Sequence, residues 1–564
     1  MTSFAEVKII GDNYEGNYSS GLTMHGSETA LKFGNPVRED KETLTYKTKD
    51  GLTLSVKTRQ SLISEAKEIF TTFTNNSNKE VTLEYITSFM LKDLVADKIH
   101  RLMSFWSAEG KHRVDTIKGL NMEASWSNHG FRVEKFGNLG SMPVRKYFPF
   151  LALENSETGL FTGIQLYAPS SWQMEIIAKE KDKLTITGGL ADRDFGHWTK
   201  KIKPGESFTA PKVLIATGYS LNDVCDKLVK AQCPDISPAD DHMGIVFNEY
   251  CTTWGNPTID NLKRLADKLE GLGIQYLVMD SGWYATDEGE WWDKRGNWTI
   301  NKKRFPNGLK ELTDYVRNKG MIPGIWFEPE VTSPFAESFK ETNHLLKKDG
   351  FPLTVGASRF WDMEDPWVKD FLKKNVIDNL KGNNFGYVKI DYNDTYGIGC
   401  DGEESFGENL RRKILGTQDF FKEMKKQIPD LVIESCSSGG HRLEPSFMEL
   451  ASQASFSDCH EAAALPLIAA NLHKVIRPEQ SQIWAVLRKS DSRERIFYSI
   501  CATFLGRMGL SGDIYDISDE SLGLLKDGMA FYNRVSGIIR DGKTVVNFAD
   551  TESYAHPQGG QLAV

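Results

Sequence analysis

Gly386-Tyr-Val-Lys-Ile-Asp-Tyr-Asn-Asp394 is an extended, β-type run that stops abruptly on a lysine, an aspartate and an asparagine. Apolar residues followed by polar ones at one end is how a buried parallel strand delivers chemistry to the mouth of an α/β barrel. Asp391 is therefore the first candidate for a reactive carboxylate. It is one of 77 acidic residues, so its weight comes from repetition: several other strand-like runs end the same way.

Outward from this stretch, the chain beyond residue 242 alternates strand with amphipathic helix. The strand candidates are Ile245–Tyr250, Gln275–Asp280, Ile322–Glu330, Arg359–Glu364, Tyr387–Asp391, Leu431–Cys436, Ala454–Asp458 and an apolar run near Phe497–Leu510. Helical stretches follow at Thr258–Leu272, Leu309–Lys319 and Trp367–Leu380. Eight strands alternating with helices is the count of a (β/α)8 TIM barrel, here over 233–525. Periodicity alone leaves an open doubly wound sheet as the alternative.

Before this region, segments such as Thr53–Arg59, Lys67–Asn75 and Lys183–Gly188 alternate with period two between Asn, Gly, Asp and Ser turns. That pattern predicts an N-terminal antiparallel β-sandwich. Val213–Gly218 is its last strand, Tyr219–Gln232 a helical connector that closes a domain over 1–232, and Cys233–Asp241 the linker. From 526 to 564 the chain reads as a small C-terminal β-domain, with Lys543–Asn547 as one strand.

The net charge of −9 is spread without a basic cluster, which excludes a phosphate-backbone partner and hence nucleic acid. No run of about 18 apolar residues occurs, so no membrane partner is expected. The N-terminus lacks the pattern of a secretion signal, which gives a cytoplasmic expectation. Seven scattered cysteines suit neither a disulfide framework nor a zinc ribbon, and no metal or cofactor is expected. Oligomeric state stays open, a homo-oligomer included.

The polar groups at predicted strand ends are Glu249, Asp280, Ser281, Glu328, Glu330, Asp362, Lys389, Asp391, Asn393, Cys436, Arg442 and Asp458. Barrel strand ends converge on one rim, so Asp391 and Asp458, counted on strands five and seven, can face one substrate. Two carboxylates across a bond are the minimum equipment for glycoside hydrolysis. A strand-end acid also caps the next helix, so no single one identifies a site. Cys436-Ser-Ser-Gly-Gly440 lacks the lysine spacing of a P-loop, and His344, His441 and His460 lack zinc-ligand spacing.

Taken together, Asp280-Ser-Gly-Trp-Tyr284, Gly324-Ile-Trp-Phe-Glu-Pro-Glu330, Lys389-Ile-Asp-Tyr-Asn393, Cys436-Ser-Ser-Gly-Gly440 and Ser457-Asp458 resemble the α-galactosidases of glycoside hydrolase family 36. That family also includes α-N-acetylgalactosaminidases and raffinose synthases. The motifs stand in the family's order over roughly 240 to 515. The resemblance implies a β-sandwich, a TIM barrel, a C-terminal β-domain and a retaining double displacement without cofactor. The substrate implied is a carbohydrate with a terminal α-galactosyl group. An α-N-acetylgalactosaminyl substrate and galactosyl transfer are the alternatives.

Position by position, the resemblance makes Asp391 the nucleophile and Asp458 the acid/base. Lys389, Asn393, Trp326, Arg359, Cys436 and Gly439 match sugar-pocket positions, with Cys436 facing O2, and Asp280 matches the first of a paired Asp-Asp. Ser281 replaces the second acid, which weakens a charge-assisted grip on the sugar. Ile390 replaces the tryptophan before the nucleophile, and His460-Glu461 depart from the family's pattern. Lys389 shares a strand face with Asp391, where its charge keeps that carboxylate ionised, whereas Asp458 must start protonated. Retaining chemistry sets the two carboxyls about 5 to 5.5 Å apart in the type case, and an α-retaining pocket is expected to be somewhat wider.

Overall fold

The computed structural model describes residues 2–13, 23–123, 131–180, 183–285, 290–546, 552–555 and 561–563. Its centre is a closed barrel of eight parallel strands. They are β1 (Ile245–Asn248), β2 (Ile274–Met279), β3 (Ile322–Phe327), β4 (Tyr387–Ile390), β5 (Val432–Ser435), β6 (Gln453–Ser455), β7 (Ser481–Leu487) and β8 (Arg507–Gly512). Strand β8 pairs with β1, with Val246 opposite Gly509, so no sheet edge is left open.

The helices between strands form because their apolar residues recur at helical spacing. In Ile259–Leu269 the buried positions are Ile259, Leu262, Leu265, Ala266 and Leu269, one stripe facing the barrel. Thr258 caps it by accepting from Asn261 N at 3.2 Å. After β3 the helical path runs Pro366–Leu372, a π-type turn at Lys373–Ile377, then Asp378–Gly382.

Eight strands are present, but three expectations about them are corrected: of the run Phe497–Leu510 only the end from Arg507 is strand, with residues 497–505 lying in the helical Arg493–Ala502 and Thr503–Leu505. Arg359–Glu364 is not a barrel strand: Ser358–Phe360 belongs to a small three-stranded sheet outside the barrel, and Asp362 and Glu364 pair with Lys413 at 2.8 and 2.7 Å. The missing strand is Ser481–Leu487, buried along its whole length. Asp391 and Asp458 consequently follow β4 and β6, not strands five and seven.

The N-terminal region holds a six-stranded and a ten-stranded antiparallel sheet. Inward residues of both, such as Leu54, Phe73, Ile176 and Ile186, share one core. The connecting helix is Leu221–Lys230. Near the C-terminus, helix Asp519–Asp541 crosses residue 526, so the expected β structure starts later, at Lys543–Val546. That strand pairs with Glu552–Ala555, which pairs with Gln561–Ala563; Asn547 lies outside the described residues. No helix among the described residues is long and apolar enough to cross a membrane.

The end of the barrel at the N-termini of the strands is tied by a buried ion pair. Arg507 and Asp240 are both 1% exposed and 2.8 Å apart, and Asp240 also accepts from Tyr276 Oη at 2.8 Å and Gln453 Nε2 at 3.1 Å. Removing one partner leaves the other charge buried and uncompensated. Asp240→Ala is expected to cost about 3–5 kcal/mol, measured as a lowered thermal midpoint; an unchanged midpoint would mean that the pair does not hold the barrel closed.

Candidate active site

At the C-terminal ends of the strands lies a cavity of about 660 Å³, within the range of small-molecule sites. Six of the ten residues singled out in the sequence line it: Asp280, Trp326, Lys389, Asp391, Asn393 and Asp458. They sit in or follow β2, β3, β4 and β6, so barrel closure brings together residues up to 178 positions apart (458 − 280).

Asp391 is 7% exposed and surrounded by donors. Its Oδ1 accepts from the backbone N–H of Tyr392 at 2.8 Å and of Ser438 at 3.1 Å. Its Oδ2 accepts from Asn393 Nδ2 at 2.9 Å and Trp326 Nε1 at 3.2 Å. Burial alone would raise its pKa. The charge of Lys389, with hydrogen bonds from Asn393, Ser438 and the Cys436 thiol, outweighs burial and holds the carboxyl below its usual range.

Lys389 is itself buried, which disfavours its charge, yet the carboxylate of Asp280 leads the groups that hold it well above the ordinary lysine value. Its Nζ lies 3.0 Å from Asp280 Oδ2, which also accepts from Asn248 Nδ2 at 2.6 Å. Behind Asp280 stands Glu249, whose Oε1 accepts the Asp280 N–H at 2.9 Å and whose pKa burial pushes to about 8.

Asp458 has the opposite surroundings. Burial first, then the Asp391 charge, push its pKa up to about 6 against the opposing charge of Lys389 and a hydrogen bond from Trp106. Gly439, in the left-handed region at φ 92°, passes directly behind it. A Cβ there would stand 2.7 Å from Asp458 N, so only glycine allows the close approach.

Four expected residues are placed differently. Cys436 and Gly439 are not among the residues that line the cavity, and the Cys436 thiol hydrogen-bonds Asp391. Ser281 is fully buried, donates its N–H to Asp280 Oδ1 at 2.8 Å, and its Oγ has no hydrogen-bond partner among the described residues. Arg359 is away from the cavity, with its guanidinium 3.9 Å over the Phe339 ring and bonded to the Phe339 carbonyl at 3.0 Å. Trp326, which does line the cavity, is packed within Tyr284, Trp291 and Trp298 and turns its N–H to Asp391.

Sequence reasoning missed other lining residues. Trp106 and Ser107 come from the sandwich, Tyr250 and Trp254 from the short helix Tyr250–Thr253 after β1 and its C-cap, and Trp484 from β7. Trp484 faces Lys389 Nζ at 5.7 Å from its ring centre. Glu328 and Glu330, also at a strand end, are occupied: Glu328 pairs with Arg295 at 2.6 Å, and Glu330 pairs with Arg442. Among the described residues no cluster of three His, Cys, Asp or Glu could hold a metal ion.

Residues 207–542 match the family model described as Melibiase. The chain is 26% identical over 384 residues to the α-galactosidase Mel36A of Lactobacillus acidophilus, covering 66% of this chain and 50% of that protein. It spans about half the length of the curated relatives it matches. A variant of α-galactosidase AgaA from Geobacillus stearothermophilus, in complex with raffinose, has the same fold at TM-score 0.79 and 20% identity, over 92% of this chain and 73% of that one. The α-galactosidase TtGalA of Thermus thermophilus, in complex with p-nitrophenyl α-D-galactopyranoside, aligns at TM-score 0.54 and 12% identity, over 90% and 98%.

The field of Lys389 is open to direct test. Lys389→Met is expected to make Asp391 titrate at higher pH than in the parent, followed by infrared carboxylate absorption; an unmoved titration would remove Lys389 as the cause.

Proposed function

The chain belongs to the Melibiase family, and from that premise we propose that it is a retaining exo-glycosidase that removes terminal α-linked galactose from oligosaccharides or glycoconjugates. The observation that carries this reading is the contrast between two carboxyls on one cavity: Asp391 is held ionised by Lys389 and four donors, while Asp458 is pushed toward the neutral form. Double displacement needs that division of roles.

In the first step Asp391 attacks C1 from the face opposite the leaving group, and Asp458 gives its proton to the departing oxygen. The C1–O bond to the aglycone breaks as the bond to Asp391 forms. In the second step Asp458, now ionised, takes a proton from water as that water attacks C1 and releases Asp391. Two inversions give net retention. Lys389 and Asp280 offer a donor and an acceptor to the ring hydroxyls, and the aromatic walls Trp484, Tyr250 and Trp254 exclude water and meet the apolar faces of the sugar. With serine at position 281 in place of an acid, Asp280 supplies the acidic grip at this strand end.

The names of the matched relatives, and the raffinose bound to one structural neighbour, support galactose as the sugar. No observation in the cavity favours the N-acetylated sugar or galactosyl transfer over hydrolysis.

Activity should follow a bell-shaped pH profile. The acid limb falls where Asp391 protonates, below the usual carboxylate range, and kcat/KM should decline as pH rises through about 6, where Asp458 loses its proton. A rate still rising above pH 7 would contradict the assignment of Asp458. Asp391→Ala should lower the rate on an aryl α-galactoside by more than about 10³-fold, with partial rescue by azide and a β-galactosyl azide product. Retained activity in that variant would refute the nucleophile.

A further inference from the structure

The rim of the cavity is not made by the barrel alone. The loop 104–110 joins two sandwich strands, Lys98–Met103 and Lys111–Thr116, and crosses to the end of β6. Trp106 on this loop hydrogen-bonds Asp458. Three residues on, Glu109 is 1% exposed and fully engaged. One of its oxygens accepts from Ser107 N at 2.8 Å and the other from Ser457 Oγ at 2.6 Å. Ser457 Oγ in turn accepts from Cys459 N at 3.1 Å. The residue held between these two anchored neighbours is Asp458.

The third wall is the loop after β5. A Cβ on Gly440 would lie 2.7 Å from Glu109 Cγ and 2.8 Å from the Phe456 carbonyl, so the sandwich loop, the β5 loop and the β6 loop close on one carboxyl. Burying a carboxyl costs free energy unless its oxygens are satisfied, and here the donors come from the segment that carries Asp458 and from the loop itself. We propose that Glu109, supplied by the sandwich, is a positioning residue that aims Asp458 at the leaving-group oxygen by anchoring Ser457 and Cys459.

The groups facing Asp458 are Asp391 and Lys389 from β4, Asp280 from β2 and Cys436 from β5. Glu109 faces Asp458 and Cys459, and lines an outer cavity with Lys111, His112 and Lys474. Burial pushes Glu109 to about 7, so it is largely protonated in the pH range where Asp458 acts as an acid. Its effect is thus geometric: Ser457 and Ser107 are held whether the carboxyl is charged or neutral.

This inference rests on the role of Asp458 given above, and the test separates the two. Glu109→Ala and Ser457→Ala are compared with the parent on raffinose, whose sugar leaving group needs a proton, and on 2,4-dinitrophenyl α-galactoside, whose leaving group does not. Folding is checked by circular dichroism. The expected result is a fall in kcat/KM of about 10- to 100-fold on raffinose and less than about threefold on the dinitrophenyl substrate, with the inhibition constant for galactose unchanged. Glu109→Gln, which keeps the volume and can still bond both serines, should recover most of the loss. Equal losses on both substrates, or none on either, would overturn the inference. If the parent hydrolyses neither substrate, the galactosidase reading falls. Glu109 is then judged by the pH-dependent part of Trp106 fluorescence, taken as the difference from Trp106→Phe: a transition present in the parent and lost in Glu109→Ala supports the anchoring, and an unchanged one overturns it.

Discussion

A lysine can be buried in a barrel mouth only if carboxylates surround it, and the site depends on that constraint at Lys389. Its Nζ is fixed to Asp280 at 3.0 Å, and its field reaches both Asp391 and Asp458. The two acids respond differently because their other neighbours differ. Asp391 has four hydrogen-bond donors within 3.2 Å, so the cation and the donors together outweigh burial. Asp458 has fewer donors and faces the Asp391 charge, so burial prevails. Under one shared cation, unlike donors and the Asp391 charge thus separate two like groups, which is what a two-step displacement requires.

That arrangement is held from outside the barrel as well as within it. Ser141, on the sandwich, accepts from Tyr392 Oη at 2.8 Å through its hydroxyl and from Arg442 Nε at 3.2 Å through its carbonyl. Arg442 stacks 3.7 Å over the Tyr392 ring and pairs with Glu330, so the residue after the nucleophile is fixed by strand, sandwich and ion pair together. Val144 N donates to the His441 carbonyl at 3.1 Å, one step along the glycine-rich loop. The sandwich therefore acts as part of the rim, with Trp106 as a wall of the cavity.

Much of this was legible in the residues. The alternation of strands with amphipathic stripes limits the fold to a barrel or an open doubly wound sheet, the motif resemblance implies the barrel, and the polar residues after Ile390 and Met279 mark the floor of the site, because strand ends in a barrel converge. The errors share one cause. An acidic end marks Arg359–Glu364 as a strand, although its acids pair with Lys413 and Arg412, and Ser481–Leu487, an apolar run followed by Arg488, carries no acid to mark it. Arg359 was misplaced with it. The inward turn of Ser281 and the service of Cys436 to Asp391 depend on side-chain direction, which spacing alone does not fix. Trp106 and Glu109 carry no local signal: they lie in a hairpin loop some 350 positions before Asp458 (458 − 106 and 458 − 109), and only the docking of sandwich on barrel brings them together.

The division of labour between the two carboxyls is tested most directly by trapping the covalent intermediate. A 5-fluoro-α-galactosyl fluoride slows both steps and lets the glycosyl enzyme accumulate. After proteolysis, mass spectrometry should find one fluorogalactosyl adduct, on the peptide carrying Asp391, in the parent and in Asp458→Ala, and none in Asp391→Ala. An adduct on any other residue, or inactivation that persists in Asp391→Ala, would contradict the account.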